Sequence, residues 1–174
     1  MMLFEEIIAS FIATLLGVLL GIPSALWIDR KIKLCNERER AIAVLSALKE
    51  EINHNVSLLK QIQKELSSSS VIFYNLDLNT WRATSLEDFE TIIDHDVICR
   101  IFRLYYEYEH LSRKIDVQFH MHYSPTRALQ GYLKEREVIV NAILVHAAVL
   151  EKESEQLLNK IDEELKRMKD SRRG

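Results

Sequence analysis

Apolar and polar positions divide this chain into two unlike parts. From Ile7 to Ile28 the sequence IIASFIATLLGVLLGIPSALWI runs for 22 residues without a charge. As a helix rising 1.5 Å per residue it would measure about 33 Å, close to the hydrocarbon thickness of a bilayer. From Asp29 onward apolar and charged positions alternate in steps of three and four, the spacing of amphipathic helices. The first such stretch runs to about Leu66, with Leu34, Ala41, Val44, Leu45, Leu48, Ile52, Val56, Leu59, Ile62 and Leu66 on its stripe. Four serines, Ser67 to Ser70, interrupt it. A short apolar run over 71–78 then leads to Asn79-Thr80-Trp81, where Asn79 or Thr80 is placed to cap a helix.

A second helical pattern covers about Ser85 to Ile115, with a break at Asp94-His95-Asp96. The segment VQFHMHYSP, Val117 to Pro125, reads as a loop whose proline suits the start of a helix. The last helix extends from about Thr126 to Met168, with Leu129, Leu133, Val140, Ile143, Ala147, Leu150, Leu157, Ile161 and Met168 as its seam. The expected fold is therefore all-α. A transmembrane helix (residues 1–28) precedes an antiparallel up-down-up helical bundle or coiled coil (29–168) and a basic tail (169–174).

The flanks give the span a direction. Glu5 and Glu6 precede it, whereas Arg30, Lys31, Lys33, Arg38 and Arg40 follow, and no Lys or Arg lies on the N-terminal side. Positive charge stays on the cytoplasmic side, so the expected localisation is the cell membrane, single-pass, with a cytoplasmic C-terminal domain. A cleaved signal would want a basic start and a shorter apolar run, and a core helix seldom goes six turns without charge. Ser10, Ala13, Gly17, Gly21 and Ala25 form one small-residue face, with Gly17 and Gly21 spaced as G-x-x-x-G. Such a face lets two helices approach closely in lipid and predicts a homo-oligomer. Pro23 lacks the amide for its helical bond and is expected to kink the last turns.

Charge and candidate chemistry narrow the function. The net charge of −3 argues against direct nucleic-acid binding. Cys35 and Cys99 stand far apart and read as reduced thiols. His120-x-His122, with His110 or Asp116, falls short of a metal site, which needs a second convergent pair. Asp94-His95-Asp96 and Glu107, Glu109 and His110 have acid–base types but no nucleophile, and neighbours on a helix point apart. Trp81, Tyr105, Tyr106 and Tyr108 suit packing better than base stacking. No phosphate-cradling glycine loop is present, so neither an enzyme nor a cofactor is expected. Basic residues are what remains. In an up-down-up bundle the 117–125 loop would return to the membrane, and Arg113, Lys114 and Arg127 would join Arg30, Lys31 and Lys33 in a surface for anionic phospholipids.

The order LKEEINHNVSLL, LDLNTW and RIFRLYYEYEHL resembles a broad group of small prokaryotic membrane proteins with one anchor helix. The elements that carry it are Leu48, Glu51, Ile52 and Asn55, then Leu76 or Leu78 with Trp81, then Leu104, Tyr105, Tyr108 and Leu111. Within that group the size and layout are similar to the membrane effectors partnered with short Argonaute proteins in archaeal defence. That resemblance implies a toxic membrane protein which binds anionic lipid through a basic pocket and depolarises the membrane when an Argonaute-containing complex activates it. The competing expectation is a constitutive anchored scaffold or signalling adaptor that docks a soluble partner.

Overall fold

The computed structural model describes residues 2–68, 72, 74–85, 89, 93–123 and 131–170, without the side chains of 2–10, 12 and 13. The protein is all-helical over the described residues, in the order α1 (Met2–Ser67), α2 (Asn79–Ala83), α3 (His95–Tyr123) and α4 (Tyr132–Asp170). It divides into two compact units, Met1–Glu39 and Arg40–Gly174, a boundary that falls past the expected end of the anchor at residue 28.

In the first unit α1 carries its apolar side chains uncovered. Phe11, Leu15, Leu16, Val18, Leu19, Leu20, Ile22, Leu26, Trp27 and Ile28 are all exposed. Pro23 lies inside the helix, and Ser24 Oγ donates to the Leu20 carbonyl at 2.6 Å. Among the described residues no helix is long and apolar enough to cross a membrane. The start of the uncharged run, residues 7–10, 12 and 13, lies outside the described side chains.

The second unit is built on three matching seams. Buried seam positions on α1 include Ala41, Leu45, Leu48, Ile52, Asn55, Leu59, Ile62 and Leu66, with Glu51 and Val56 buried beside them; on α3 they include Val97, Ile101, Leu104, Tyr108, Leu111, Ile115 and Gln118, with Tyr105 beside them. On α4 they include Ile143, Ala147, Leu150, Ser154, Leu157, Ile161, Glu164 and Met168, with Leu165 beside them. All three sets step four, three, four, three, the heptad rhythm that keeps a seam facing its partners along a left-handed coil. Each set also holds at least one polar residue.

Cross-links between the helices fix their directions. Lys49 Nζ meets Asp162 Oδ1 at 2.5 Å, Lys60 Nζ meets Glu155 Oε1 at 3.0 Å, and Gln63 Nε2 meets Glu151 Oε2 at 2.7 Å. The body portion of α1 therefore runs antiparallel to α4. Lys160 bonds Asp96, Tyr108 contacts Ser154, and Glu107 contacts His146, so α3 is antiparallel to α4 as well. Consequently α3 runs parallel to the body portion of α1, which corrects the expected up-down-up order. The reason lies between them. The segment from Tyr74 to Trp81 descends along α1, with Tyr74 Oη on Glu65, Asp77 on Asn55, and Thr80 and Trp81 on Glu51. This extended stretch makes the return that a helix was expected to make.

Helix boundaries also shift. α3 begins at His95, where Asp94 Oδ1 accepts the Asp96 N–H at 2.8 Å as an N-cap. It continues to Tyr123 through the segment expected as a loop, with Gln118 buried and the Phe119 and Tyr123 rings 4.6 Å apart one turn on. Gly131 has φ 110° and its carbonyl accepts the Glu135 N–H at 3.1 Å, so α4 starts later than Thr126. Residues 124–130 and 171–174 lie outside the described residues.

Candidate functional site

Several buried polar residues of the body lie close together. Glu51, on α1 and almost fully buried, accepts hydrogen bonds from the Thr80 N–H at 2.5 Å, the Trp81 N–H at 3.3 Å and the Tyr105 hydroxyl at 2.7 Å. α2 has no side-chain cap of its own at Leu78, so neither Asn79 nor Thr80 caps it. A carboxylate from another helix satisfies two of its first three amides, and Asp77 Oδ1 accepts the Asn79 N–H at 3.1 Å. One turn further, Asn55 is fully buried and holds Asp77 at both main-chain atoms: its Nδ2 donates to the Asp77 carbonyl and its Oδ1 accepts the Asp77 N–H, each at 2.7 Å. A side-chain amide here stands in for a strand partner.

Aromatic rings close the cluster. Trp81 stacks on Tyr105 at 4.8 Å and 8° and meets Phe102 edge-on at 4.6 Å, while Tyr105 and Tyr108 pack edge-to-face at 5.6 Å. Burial, and then the bond to Glu51, push the Tyr105 hydroxyl far above the usual phenol range. Burial raises Tyr108 too. Ser154 Oγ donates to the Leu150 carbonyl at 2.6 Å and accepts from Tyr108 at 2.6 Å. Both tyrosines are thus held protonated. The residues Glu51, Asn55, Trp81, Tyr105 and Tyr108, scattered over three sequence segments, form a clasp that sets the direction of the chain between α1 and α3.

A second polar group joins α3 to α4. His146 Nε2 lies 3.0 Å from Glu107 Oε2, and its Nδ1 lies 3.0 Å from Lys114 Nζ. Lysine only donates, so Nδ1 accepts and the ring proton sits on Nε2, directed at Glu107. Burial, and then Lys114, lower the His146 pKa below its ordinary value; Glu107 pulls the other way. His110 is the remaining titratable neighbour and also lowers it.

The basic residues fall in both units: Arg30, Lys31 and Lys33 in the first, Arg113 and Lys114 in the second. Arg30, Lys31 and Lys33 are exposed on α1; Lys31 Nζ lies 4.7 Å from the Trp27 ring centroid, and Lys33 is 3.9 Å from Glu37. Arg113 is exposed beside a groove that also contains Asn75, Arg82, Glu109 and Asp116, a balanced set of charges. Lys114 is engaged by His146. Because α3 runs with α1, both lie toward the end of the body where α1 finishes, more than ten residues along the helices from Arg40, where the body begins. Arg127 lies outside the described residues. At the Arg40 end a groove between α1 and α4 holds Lys49, Lys166 and Lys169 together with Glu50, Asp162 and Asp170, again a balanced set of charges.

Of the small-residue face, Gly17, Gly21 and Ala25 are open: a Cβ added at either glycine would meet nothing within 4 Å. The side chains of Ser10 and Ala13 lie outside the described residues. Cys35 and Cys99 are free and exposed, with Cys99 Sγ 3.5 Å from His95 Nδ1. Among the described residues no group of three or more His, Cys, Asp or Glu side chains is placed to hold a metal ion. Asp94, Asp96 and Glu164 serve structure: Glu164 accepts the Asp94 N–H at 2.9 Å at the start of α3 and pairs with Arg167. Sequence reasoning missed Glu164 and His146. Glu164 falls on the heptad seam of α4, and that register is the signal for it. Compared with known proteins, the chain matches no family model, no curated protein and no solved structure.

Proposed function

We propose that the chain is a single-pass membrane effector of antiviral defence, held by residues 7–28 and carrying its helical body on the cytoplasmic side. One observation carries the reading: every described side chain from Thr14 to Ile28 is exposed although most are large and apolar. A helix apolar on all sides needs a covering, and lipid supplies one. The abrupt change at Asp29, with Trp27 before it and Arg30, Lys31 and Lys33 after it, matches a headgroup boundary on the cytoplasmic face. These three cations each contribute about 1 kcal/mol of attraction to an anionic leaflet. In the body, Glu51, Asn55 and Tyr105 hold the chain between α1 and α3, and the proposed action is physical. Activated by a partner complex, which the resemblance to Argonaute-associated effectors points to, assembled copies make the bilayer leak.

A span without charge cannot line an aqueous path alone, so leakage requires assembly, and the open Gly17 and Gly21 face is where spans approach. The test is membrane potential, followed with a voltage-sensitive dye in cells expressing the full chain to high level. The wild type is expected to collapse the potential, and Gly17→Leu with Gly21→Leu to preserve it at equal protein abundance. A potential that survives wild-type expression and remains intact with the activating complex present overturns the effector reading in favour of an anchored scaffold.

A further inference from the structure

The stretch VIVNAILVHAAVL on α4, Val138 to Leu150, contains no acid, lysine or arginine. One face of it, Ile143, Ala147 and Leu150, is buried in the body. The opposite face is Val138, Ala142, Val145 and Val149, and it is open: the three valines are 63%, 67% and 50% exposed. These four step by four, three and four, so they form a second heptad seam on a helix whose first seam is already occupied. The same register continues to Glu135 at one end and Lys152 at the other, both exposed.

The charges say what fits there. Turned end for end, the seam is its own complement: Val138 meets the partner's Val149, Ala142 meets the partner's Val145, and Glu135 meets the partner's Lys152. Just beside it, Lys134 meets the partner's Glu153. A parallel copy would instead set glutamate against glutamate and lysine against lysine at the two ends. We propose that this face of α4 is a homodimer interface, a two-fold antiparallel pairing with a second copy of this chain. Four apolar layers with an ion pair at each end make a small interface, suited to copies concentrated in one membrane rather than dilute in solution. The two-fold places the Arg40 ends of the two bodies at opposite ends of the pair.

Disulfide trapping in the full-length, detergent-solubilised protein tests this, in a background of Cys35→Ser and Cys99→Ser. Val138→Cys chains mixed with Val149→Cys chains are expected to yield a covalent dimer on mild oxidation. Either variant alone should give no covalent dimer, because in the antiparallel pair like positions lie about 16 Å apart along the axis, beyond disulfide reach. Glu135→Lys should reduce trapping several-fold, and adding Lys152→Glu in the same chain should restore it. Both cysteines replace exposed valines, and unchanged far-UV circular dichroism confirms that the variants fold. Trapping by Val138→Cys alone would mean a parallel contact, and no dimer from the mixture would mean no contact; each overturns the proposal. Membrane fractionation of the same chains reads the anchor separately, so the two proposals fail independently.

Discussion

Glu51 is a single residue that decides the course of two other elements. Its carboxylate caps α2 and receives the Tyr105 hydroxyl, three bonds from a nearly dry site. Removing it leaves two helix-start amides and a phenol without acceptors, each costing on the order of 1–3 kcal/mol if no water replaces it. Glu51→Ala is therefore expected to destabilise the body by about 3 kcal/mol, whereas Tyr105→Phe removes one bond and costs about 1 kcal/mol. Denaturant unfolding of the two variants and the double variant checks this, and the double should cost little more than Glu51→Ala. A Glu51→Ala loss no larger than that of Tyr105→Phe would mean that the α2 cap contributes nothing. Glu51, Asn55, Trp81, Tyr105 and Tyr108 were all legible in the sequence as recurrent elements of a resemblance. That they meet was not legible, because a spacing of 54 residues between Glu51 and Tyr105 says nothing about contact. Their roles turn out to be those of a folding device.

At the scale of elements, the helices themselves were readable from apolar periodicity, and their ends less so. α3 outruns its expected end because Gln118 keeps the heptad register where Val117-Gln118-Phe119-His120 reads as polar and broken. The seam between α3 and α4 also holds His146, which the sequence shows as one histidine in an apolar run. Its pKa is lowered in the folded protein, so below the ordinary value of 6.5 the unfolded chain binds the proton more readily. The stabilisation is fully present above that value and is lost as the pH falls through the folded pKa. Protonation also ends the role of Nδ1 as acceptor for Lys114. Urea midpoints measured at pH 7.5 and pH 5.5 should fall more steeply for wild type than for His146→Asn. Equal falls in both proteins would show that this histidine does not couple α3–α4 packing to pH.

For the whole molecule, three long helices were expected and three are found, but their directions differ from expectation. Three long helices joined by two turns make every connection a reversal. The hydrogen bonds of Asn55 and Glu51 instead hold residues 77–80 beside α1, running back toward its start before α3 begins. Arg113 and Lys114 consequently sit toward the end of the body where α1 finishes, and the up-down-up order no longer argues for a six-residue basic surface. What stands independently of that surface is the uncovered apolar stretch of α1 ending at Trp27 and the basic cluster that follows it. The direct measurement is protease protection on sealed vesicles from cells making the full chain, with alkaline carbonate extraction of the same vesicles. The account predicts that the protein stays in the carbonate pellet and that the body, with Arg172, is digested only from the cytoplasmic side. Release into the carbonate supernatant, or digestion of the body from the outside of intact cells, would contradict it.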